Sequence, residues 1–448
     1  MLLRNINLPR AGISHILRNF LRFLRQYRIA LLLLVLAATL EVSLHARKYS
    51  IPRPDHDLDK PFYSRCQEPA VNQSREDAAL VMLVRNWELE KALKTVHSIE
   101  KHFNKWFHYP IVFLNDVPWT DEFMERMKEA PSGEVVFDVL TPEEWSFPAG
   151  MDAEAARESI DRQGKAGILY GGLESYHHMC RFFSGKFYNV PALRPYKWYW
   201  RIEPDVEFHC AITYDPFLEM ARHDKVYGFT IALTELPRTC PTLFRRISDF
   251  KEARHLPTTT LWKAMISPSW VPWPLRGMSS WLFNTGHTDR HGDSWNLCHY
   301  WSNFEIASLD FFRGKEYQEL VRSLDNTGGF YHERWGDADV HSLALAMLLD
   351  ARYIHHFQDI GYHHDIFTQC PVNAAGEKQL PRSESLVENQ PWAPEGRHDD
   401  PNAIGCRCEC DAAVRGGTMD YSGYCTHRLT LPNRATRRSW VDLAVTWF

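Results

Sequence analysis

Tyr199-Trp200-Arg201-Ile202-Glu203-Pro204-Asp205 is a short apolar run that ends in two carboxylates separated by a residue unable to continue a sheet. Side chains two apart on a strand share a face. Pro204 fixes its own φ and donates no ladder bond, so Glu203 and Asp205 are expected to be aimed together out of the sheet edge. Hard oxygen donors so placed suit Mn2+ or Mg2+, the ions that neutralise a diphosphate. Taken alone, a Glu-Pro-Asp tripeptide is more often a pair of exposed turn carboxylates, and the flanking sequence has to decide.

Upstream, residues 78–84 read as a buried strand ending at Arg85-Asn86. Leu89, Leu93, Val96 and Phe103 then mark one face of a helix, and Ile111-Val-Phe-Leu114 reads as the next strand, ending at Asn115-Asp116. Strand, helix, strand over so short a stretch implies a parallel pair with a right-handed crossover, and open α/β sheets bind ligands beyond the carboxyl ends of their strands. Arg85, Asn115 and Glu203 all occupy such ends. Further strands are predicted at 134–140, 198–202 and 226–233, and helices at 152–160 and 340–349, the latter opening after Asp337-Ala-Asp339.

The chain has 448 residues, 44% of them hydrophobic and 13% aromatic, enough for one large core or two ordinary ones. A net charge of -5 gives no basic footprint and disfavours nucleic acid as a partner. Basic charge is concentrated instead at the N-terminus. The first 40 residues hold six arginines and no acid, and lead into the unbroken apolar run 29–40. Extended to Leu44, that segment spans about 24 Å as a helix, short of a full bilayer core but compatible with a thin early-secretory membrane. The arginines place the N-terminus in the cytosol and the body in the lumen. A cleaved signal peptide and a mitochondrial presequence are the rivals; Leu44-His45-Ala46 lacks the small-x-small cleavage pattern, and the apolar block argues against a presequence.

The expected organisation is therefore a cytosolic tail (1–28), a signal-anchor helix (29–45), a Pro-, Asp- and Arg-rich luminal stem (46–76), a catalytic domain (77–380), and a polar loop with a cysteine-rich tail packed on that domain (381–448). Ten cysteines fit an oxidising lumen. The Cys406-Arg-Cys-Glu-Cys410 cluster with Cys425 lacks the usual zinc-knuckle spacing, which favours disulfides of unread connectivity. A glycosylation sequon stands at Asn72-Gln-Ser74. Between 256 and 293, Trp262, Trp270, Trp273 and Trp281 lie among prolines and glycines. Such rings can stack on sugar faces, but in Pro-rich loops they more often pack the loop down.

Several longer motifs raise the weight of the Glu-Pro-Asp turn: Tyr176-His-His-Met-Cys-Arg-Phe182, the run 199–217, Trp295-Asn-Leu-Cys-His-Tyr-Trp-Ser-Asn-Phe-Glu-Ile306, Gly328-Gly-Phe-Tyr-His-Glu-Arg-Trp-Gly-Asp337, and the run 354–371. Through them the chain resembles, from Ala79 to Pro371, glycosyltransferase family 15, the fungal GDP-mannose-dependent α-1,2-mannosyltransferases. The resemblance implies a GT-A-type, Rossmann-like α/β domain with a mixed sheet. It further implies a Mn2+ cofactor, GDP-mannose as donor, a mannose-terminated N- or O-linked glycan as acceptor, and a Golgi type II membrane protein serving protein glycosylation.

The resemblance also assigns residues. Glu203 and His364, the second histidine of Gly361-Tyr-His-His364, are the expected metal ligands; Asp337-Ala-Asp339 followed by His341 is the rival set, with Asp339 standing where relatives commonly carry Pro or a small residue. Tyr176 is the expected active-site tyrosine. Arg85, Tyr176, Arg181, Arg201, Asp205 and Asp337 are expected around the nucleotide, since arginine forks suit diphosphate oxygens. Glu305 is the candidate nucleophile; retention of the α-configuration allows either a glycosyl-enzyme on Glu305 or a same-face attack in which Glu305 only stabilises positive charge. Without the resemblance, a Glu between Phe304 and Ile306 reads as a buried, hydrogen-bonded acid. The competing functions are mannosylphosphate or other-linkage transfer, a metal-dependent hydrolase, and a non-catalytic glycan-binding protein that uses the tryptophan-rich loop.

Overall fold

Four parallel strands form one half of the central sheet: β1 (Ala78–Leu83), β2 (Ile111–Asn115), β3 (Val135–Val139) and β4 (Trp198–Arg201). The computed structural model describes residues 26–63, 67–269, 271–282, 286–371, 404–408 and 423–435. The start of the expected tail, Cys66, Trp270, the polar excursion at 376–401 and Cys410 lie outside the described residues.

The sheet continues through β5 (Tyr227–Phe229), β6 (Glu305–Ser308) and β7 (Ile354–His356) in the spatial order β7-β5-β6-β4-β1-β2-β3. Only β6 runs antiparallel, against β4 on one side and β5 on the other. The chain winds outward from β1 to β3 and then returns to place β4 on the other side of β1, so the strand order reverses between β1 and β4. In open α/β sheets a crevice opens at that reversal, at the carboxyl ends of the two strands. Arg85 and Glu203 follow those two ends.

Strand alternation sorts the core into two layers. Leu80, Met82, Phe113, Trp198 and Trp200 point to one face, where helix α2 (Leu89–Ile99) packs with Leu89, Leu93 and Val96. Ala79, Val81, Val112 and Tyr199 point to the other, covered by α3 (Glu174–Gly185) and α4 (Asp337–Leu348). Arg201 shares the parity of Tyr199 and lies under α3, where its guanidinium sits 3.6 Å from the centre of the Phe183 ring.

Three expectations change. The predicted strand at 226–233 splits into β5 and the segment Ala232–Thr234, which leaves the main sheet to pair antiparallel with Cys298–Tyr300. Helix α4 opens at Asp337 rather than after Asp339, so both acids lie in its first turn, where the helix dipole favours them. The expected free stem is largely strapped to the body. Ile51 is buried, Phe62 stacks on His355 at 3.8 Å, and buried Asp59 bonds Lys225 at 2.8 Å and His355 at 2.7 Å. Polar composition concealed these few anchoring side chains. In the sequon, Asn72 is exposed.

Disulfides join Cys210 to Cys408 and Cys298 to Cys425; Cys370 and Cys406 are also disulfide-bonded, while Cys180 and Cys240 are buried thiols. The apolar N-terminal run forms helix α1 (Arg28–Tyr49), 22 residues long. It is long and apolar enough to cross a membrane, and its last turn is fastened to the body by a buried Tyr49 whose hydroxyl donates to Asp293 at 2.5 Å.

Candidate active site at the carboxyl ends of the strands

Arg201, the last residue of β4, organises the site. Its Nη1 donates to Asp337 Oδ2 at 2.6 Å, and its Nη2 and Nε donate to Glu203 Oε1 at 2.5 and 3.1 Å. Ser302 Oγ adds a bond to the same Asp337 oxygen at 2.7 Å. Burial pushes the Asp337 carboxyl up, but the Arg201 charge beside it outweighs burial and holds it below the usual range. Arg201 is likewise buried, and the charges of Asp337 and Glu203 keep it firmly protonated. Glu203, with 27% of its side chain exposed, is the outward member of this triad.

The turn after β4 corrects the expected geometry of the Glu-Pro-Asp motif. The strand stops at Arg201, and Asp205 adopts φ 69°, a left-handed conformation that aspartate tolerates at the third position of a Pro-led turn. Asp205 is thereby turned toward Lys91 and Lys94 of α2, at 3.5 and 3.4 Å, while Glu203 faces Arg201. The two carboxylates take different partners instead of sharing a face.

Beyond that turn, Glu207–Phe208 pairs antiparallel with Tyr362–His363, and the strand Tyr362–His364 brings His364 to the segment just before β6, the strand that pairs with β4. The His364 ring stacks on Trp301 at 5.1 Å, and its Nδ1 meets the amide of Asn303. Asn303 Oδ1 is buried without a hydrogen-bond partner. Turning that amide end for end lets Oδ1 accept the Nδ1 proton of His364, which fixes the tautomer whose Nε2 lone pair can ligate a metal. Glu203 has one carboxylate oxygen held by Arg201 and His364 has one nitrogen held by Asn303; carboxylate oxygen and imidazole nitrogen are each donors that a divalent cation such as Mn2+ accepts.

Glu305 begins β6 and is fully buried. Oε1 accepts from the Tyr199 hydroxyl at 2.6 Å, and Oε2 faces His341 Nδ1 at 3.1 Å. The second nitrogen of His341 lies 2.9 Å from the carbonyl of Phe183, so both ring nitrogens face acceptors. Burial disfavours the imidazolium, yet the Glu305 charge prevails and raises the His341 pKa above its ordinary 6.5. The plain sequence reading of Glu305 as a buried, hydrogen-bonded acid is thus what its surroundings display.

The remaining candidates distribute as follows. Arg85 pairs with Asp116 at 3.2 Å and lies over the rings of Trp87 and Trp145. Tyr176, near the start of α3, stacks on Tyr170 at 4.7 Å with the Arg334 guanidinium 5.6 Å from its ring centre. Arg181 is buried and spends its fork on Asp325, at 2.7 and 2.8 Å, and on the Ser146 carbonyl, which makes it a strut between α3 and a neighbouring helix. The rival acid Asp339 is fully buried and forms a compact group with Glu235 and His299. Burial first and Glu235 second drive its carboxyl upward toward the neutral form, and the Arg334 guanidinium sits 3.0 Å from Glu235. Sequence reasoning missed Ser302, Asn303 and the exposed indole of Trp87, and it placed His341 in a rival metal set rather than beside Glu305. The first two sit inside a quoted motif, three and two positions before Glu305, where an inward-pointing polar pair was the available signal.

The mixed, Rossmann-like sheet, with its reversal of strand order between β1 and β4, is that of the GT-A-type glycosyltransferases. The chain belongs to the family described as glycolipid 2-alpha-mannosyltransferase, glycosyltransferase family 15, whose profile matches residues 39–380. It is 39% identical over 435 residues to the probable mannosyltransferase KTR7 of Saccharomyces cerevisiae, covering 84% of this chain and 81% of that protein. It is 40% identical over 369 residues to the O-glycoside alpha-1,2-mannosyltransferase homolog 4 of Schizosaccharomyces pombe, covering 77% and 84%. Among solved structures, it matches the mannosyltransferase Ktr4p from S. cerevisiae in complex with GDP with TM-score 0.65 at 31% identity, covering 86% of this chain and 90% of that one. It also matches core-mannan synthase A from Aspergillus fumigatus in its Mn/GDP form with TM-score 0.60 at 36% identity, covering 76% and 88%.

Proposed function

We propose that this chain transfers mannose from GDP-mannose to a mannose-terminated glycan, forming an α-1,2 bond with Mn2+ as cofactor, as a type II membrane protein of the Golgi. The observation that carries the reading is the Arg201 fork holding Glu203 and Asp337 at the carboxyl end of β4, beside the reversal of strand order. The Mn/GDP and GDP forms of two related structures support the same cofactor and nucleotide.

In this reading Glu203 and His364 hold the cation, which neutralises charge on the departing diphosphate. Arg85, partly exposed beside the β1 end, contacts the diphosphate, and Trp87 next to it offers a stacking face. Tyr176 borders the donor from the α3 side, and Asp337 orients Arg201 rather than touching the nucleotide. Arg181 and Asp205 play no direct part.

Glu305 serves as a fixed negative charge under the sugar rather than as a nucleophile. Both of its oxygens are engaged and the carboxylate is fully buried, so covalent attack would require it to leave Tyr199 and His341. Same-face attack leaves it in place, with the departing phosphate taking the proton of the acceptor hydroxyl.

The deciding experiment is transfer from GDP-mannose to α-methyl mannoside by the purified full chain, with and without Mn2+. Formation of an α-1,2-dimannoside that is lost on chelation and in Glu203→Ala is expected. Release of free mannose without acceptor would instead indicate a hydrolase, a phosphodiester product would indicate mannosylphosphate transfer, and glycan binding indifferent to Glu203→Ala and chelation would indicate a binding protein. Glu305→Gln is expected to lower kcat about 10²- to 10³-fold, and the unsubstituted enzyme mixed with donor is expected to show no sugar adduct in its intact mass; an adduct on Glu305 would restore the covalent route.

A further inference from the structure

The tryptophan-rich segment after residue 270 meets the apolar helix α1 at one level. Glu41, the first polar residue after the apolar run, accepts a hydrogen bond through Oε2 from the backbone N–H of Trp273 at 3.0 Å, and its other oxygen lies 3.6 Å from Arg276. Arg276 is buried, packs over the Trp273 ring at 4.2 Å, and binds the Tyr49 hydroxyl. Lys48 lies 4.9 Å from the same indole and 2.7 Å from Asp293. At about 1.5 Å of rise per residue, Glu41 stands one step beyond Leu40, where the apolar run ends.

The short helix Arg276–Leu282 that follows turns Arg276 inward. At 3.6 residues per turn, Met278, Trp281 and Leu282 fall on the side opposite Arg276, and Leu275 ends the short turn just before this helix. All four are exposed, Trp281 by 79% and Met278 by 55%. An apolar face of this composition is costly in water, and its indole suits the boundary between headgroups and acyl chains.

We propose that Leu275, Met278, Trp281 and Leu282 form a membrane-seated face that lies in the lipid interface beside α1 and fixes the catalytic body against the bilayer. The proposal rests on the reading of α1 as a membrane anchor. Continuity with α1 selects lipid as the occupant: the loop is bonded to the helix at the residue where its apolar stretch stops, so its outward face arrives at the interface with it. The tryptophans of this loop that were weighed as a sugar platform divide accordingly. Trp262 is buried against Phe244, Trp273 packs on Arg276, and Trp281 faces the lipid.

The test places a nitroxide at Trp281→Cys in the full chain, reconstituted in nanodiscs of neutral and anionic phospholipid. Collision with oxygen, which concentrates in lipid, is compared with collision with a water-soluble nickel chelate. Val35→Cys in α1 and Val139→Cys on β3 serve as references, β3 being the sheet edge opposite β7, against which the strap at Asp59 packs. The unsubstituted chain, whose Cys180 and Cys240 are buried, is labelled in parallel as background. Expected is oxygen-dominated collision at 35 and 281 and nickel-dominated collision at 139. A nickel-dominated signal at 281 with an oxygen-dominated one at 35 overturns the interfacial face and leaves the anchor standing. A nickel-dominated signal at 35 overturns the anchor and the inference with it.

Discussion

At Arg201 a guanidinium withdrawn from water bonds Glu203 through two nitrogens and Asp337 through a third. Removing it leaves buried Asp337 without its countercharge, so Arg201→Ala is expected to lose about 3–5 kcal/mol in urea unfolding. Arg201→Lys retains the charge but not the fork and is expected to keep the fold while losing Mn2+-dependent transfer, checked by pairing unfolding curves with the mannoside assay. His341 supplies a pH dependence. Its folded pKa is raised above 6.5 by Glu305, so its contribution to stability is complete below about pH 6.5 and is lost as pH rises through the folded value. The melting temperature of the native chain relative to His341→Gln should therefore narrow between pH 6 and pH 9; a gap that widens contradicts the Glu305–His341 pairing. The sequence displayed Glu203, His364 and Glu305 through their motifs, but not Arg201's commitment to two carboxylates. That depends on β4 ending two residues before Glu203 and on α4 delivering Asp337 from far along the chain.

Among elements, β1, β2, β3 and β4 were readable within a residue or so: β1, β2 and β4 are mostly apolar runs buried on both faces, and β3, a half-buried edge strand, shows its Val-Val-Phe run between turn residues. β6 was not. It spans four residues, Glu305–Ser308, and opens with a charged side chain, yet it occupies the middle of the sheet, since Tyr199 and His341 make that carboxylate tolerable there. The C-terminal helix Tyr424–Thr430 was equally hidden behind the expectation of a cysteine-rich tail. It is held by Cys298–Cys425 and by buried Arg428, which donates to the carbonyls of Ala264 at 2.8 Å and Ile266 at 3.0 Å. Cys425→Ser is expected to cost about 2–4 kcal/mol. Arg428→Met, which strands those carbonyls, should cost a further 1–3 kcal/mol or so, both read from denaturant midpoints.

For the molecule as a whole, the strap from Tyr49 to Phe62 decides where the folded unit starts. Asp59 is pulled down to about 2 by His355 and Lys225 in spite of its burial. Without Asp59, the ammonium of Lys225 remains buried beside backbone carbonyls alone. A chain beginning at residue 64 should therefore melt well below one beginning at 46 or fail to fold, although a reading of 46–76 as free linker predicts equal stability. Differential scanning calorimetry of the two distinguishes these outcomes.

The same strap is closed from the far end of the sequence. The backbone N–H of Leu58 bonds the carbonyl of Asn433 at 2.9 Å, and that of Ala435 bonds Asp57 at 2.6 Å across 378 residues. At about 5–20 residues per second, a ribosome needs roughly 20–75 s to make the second partner after the first. For that interval the strap has emerged but cannot be clasped, and this part of the fold closes only after residue 435 has left the ribosome.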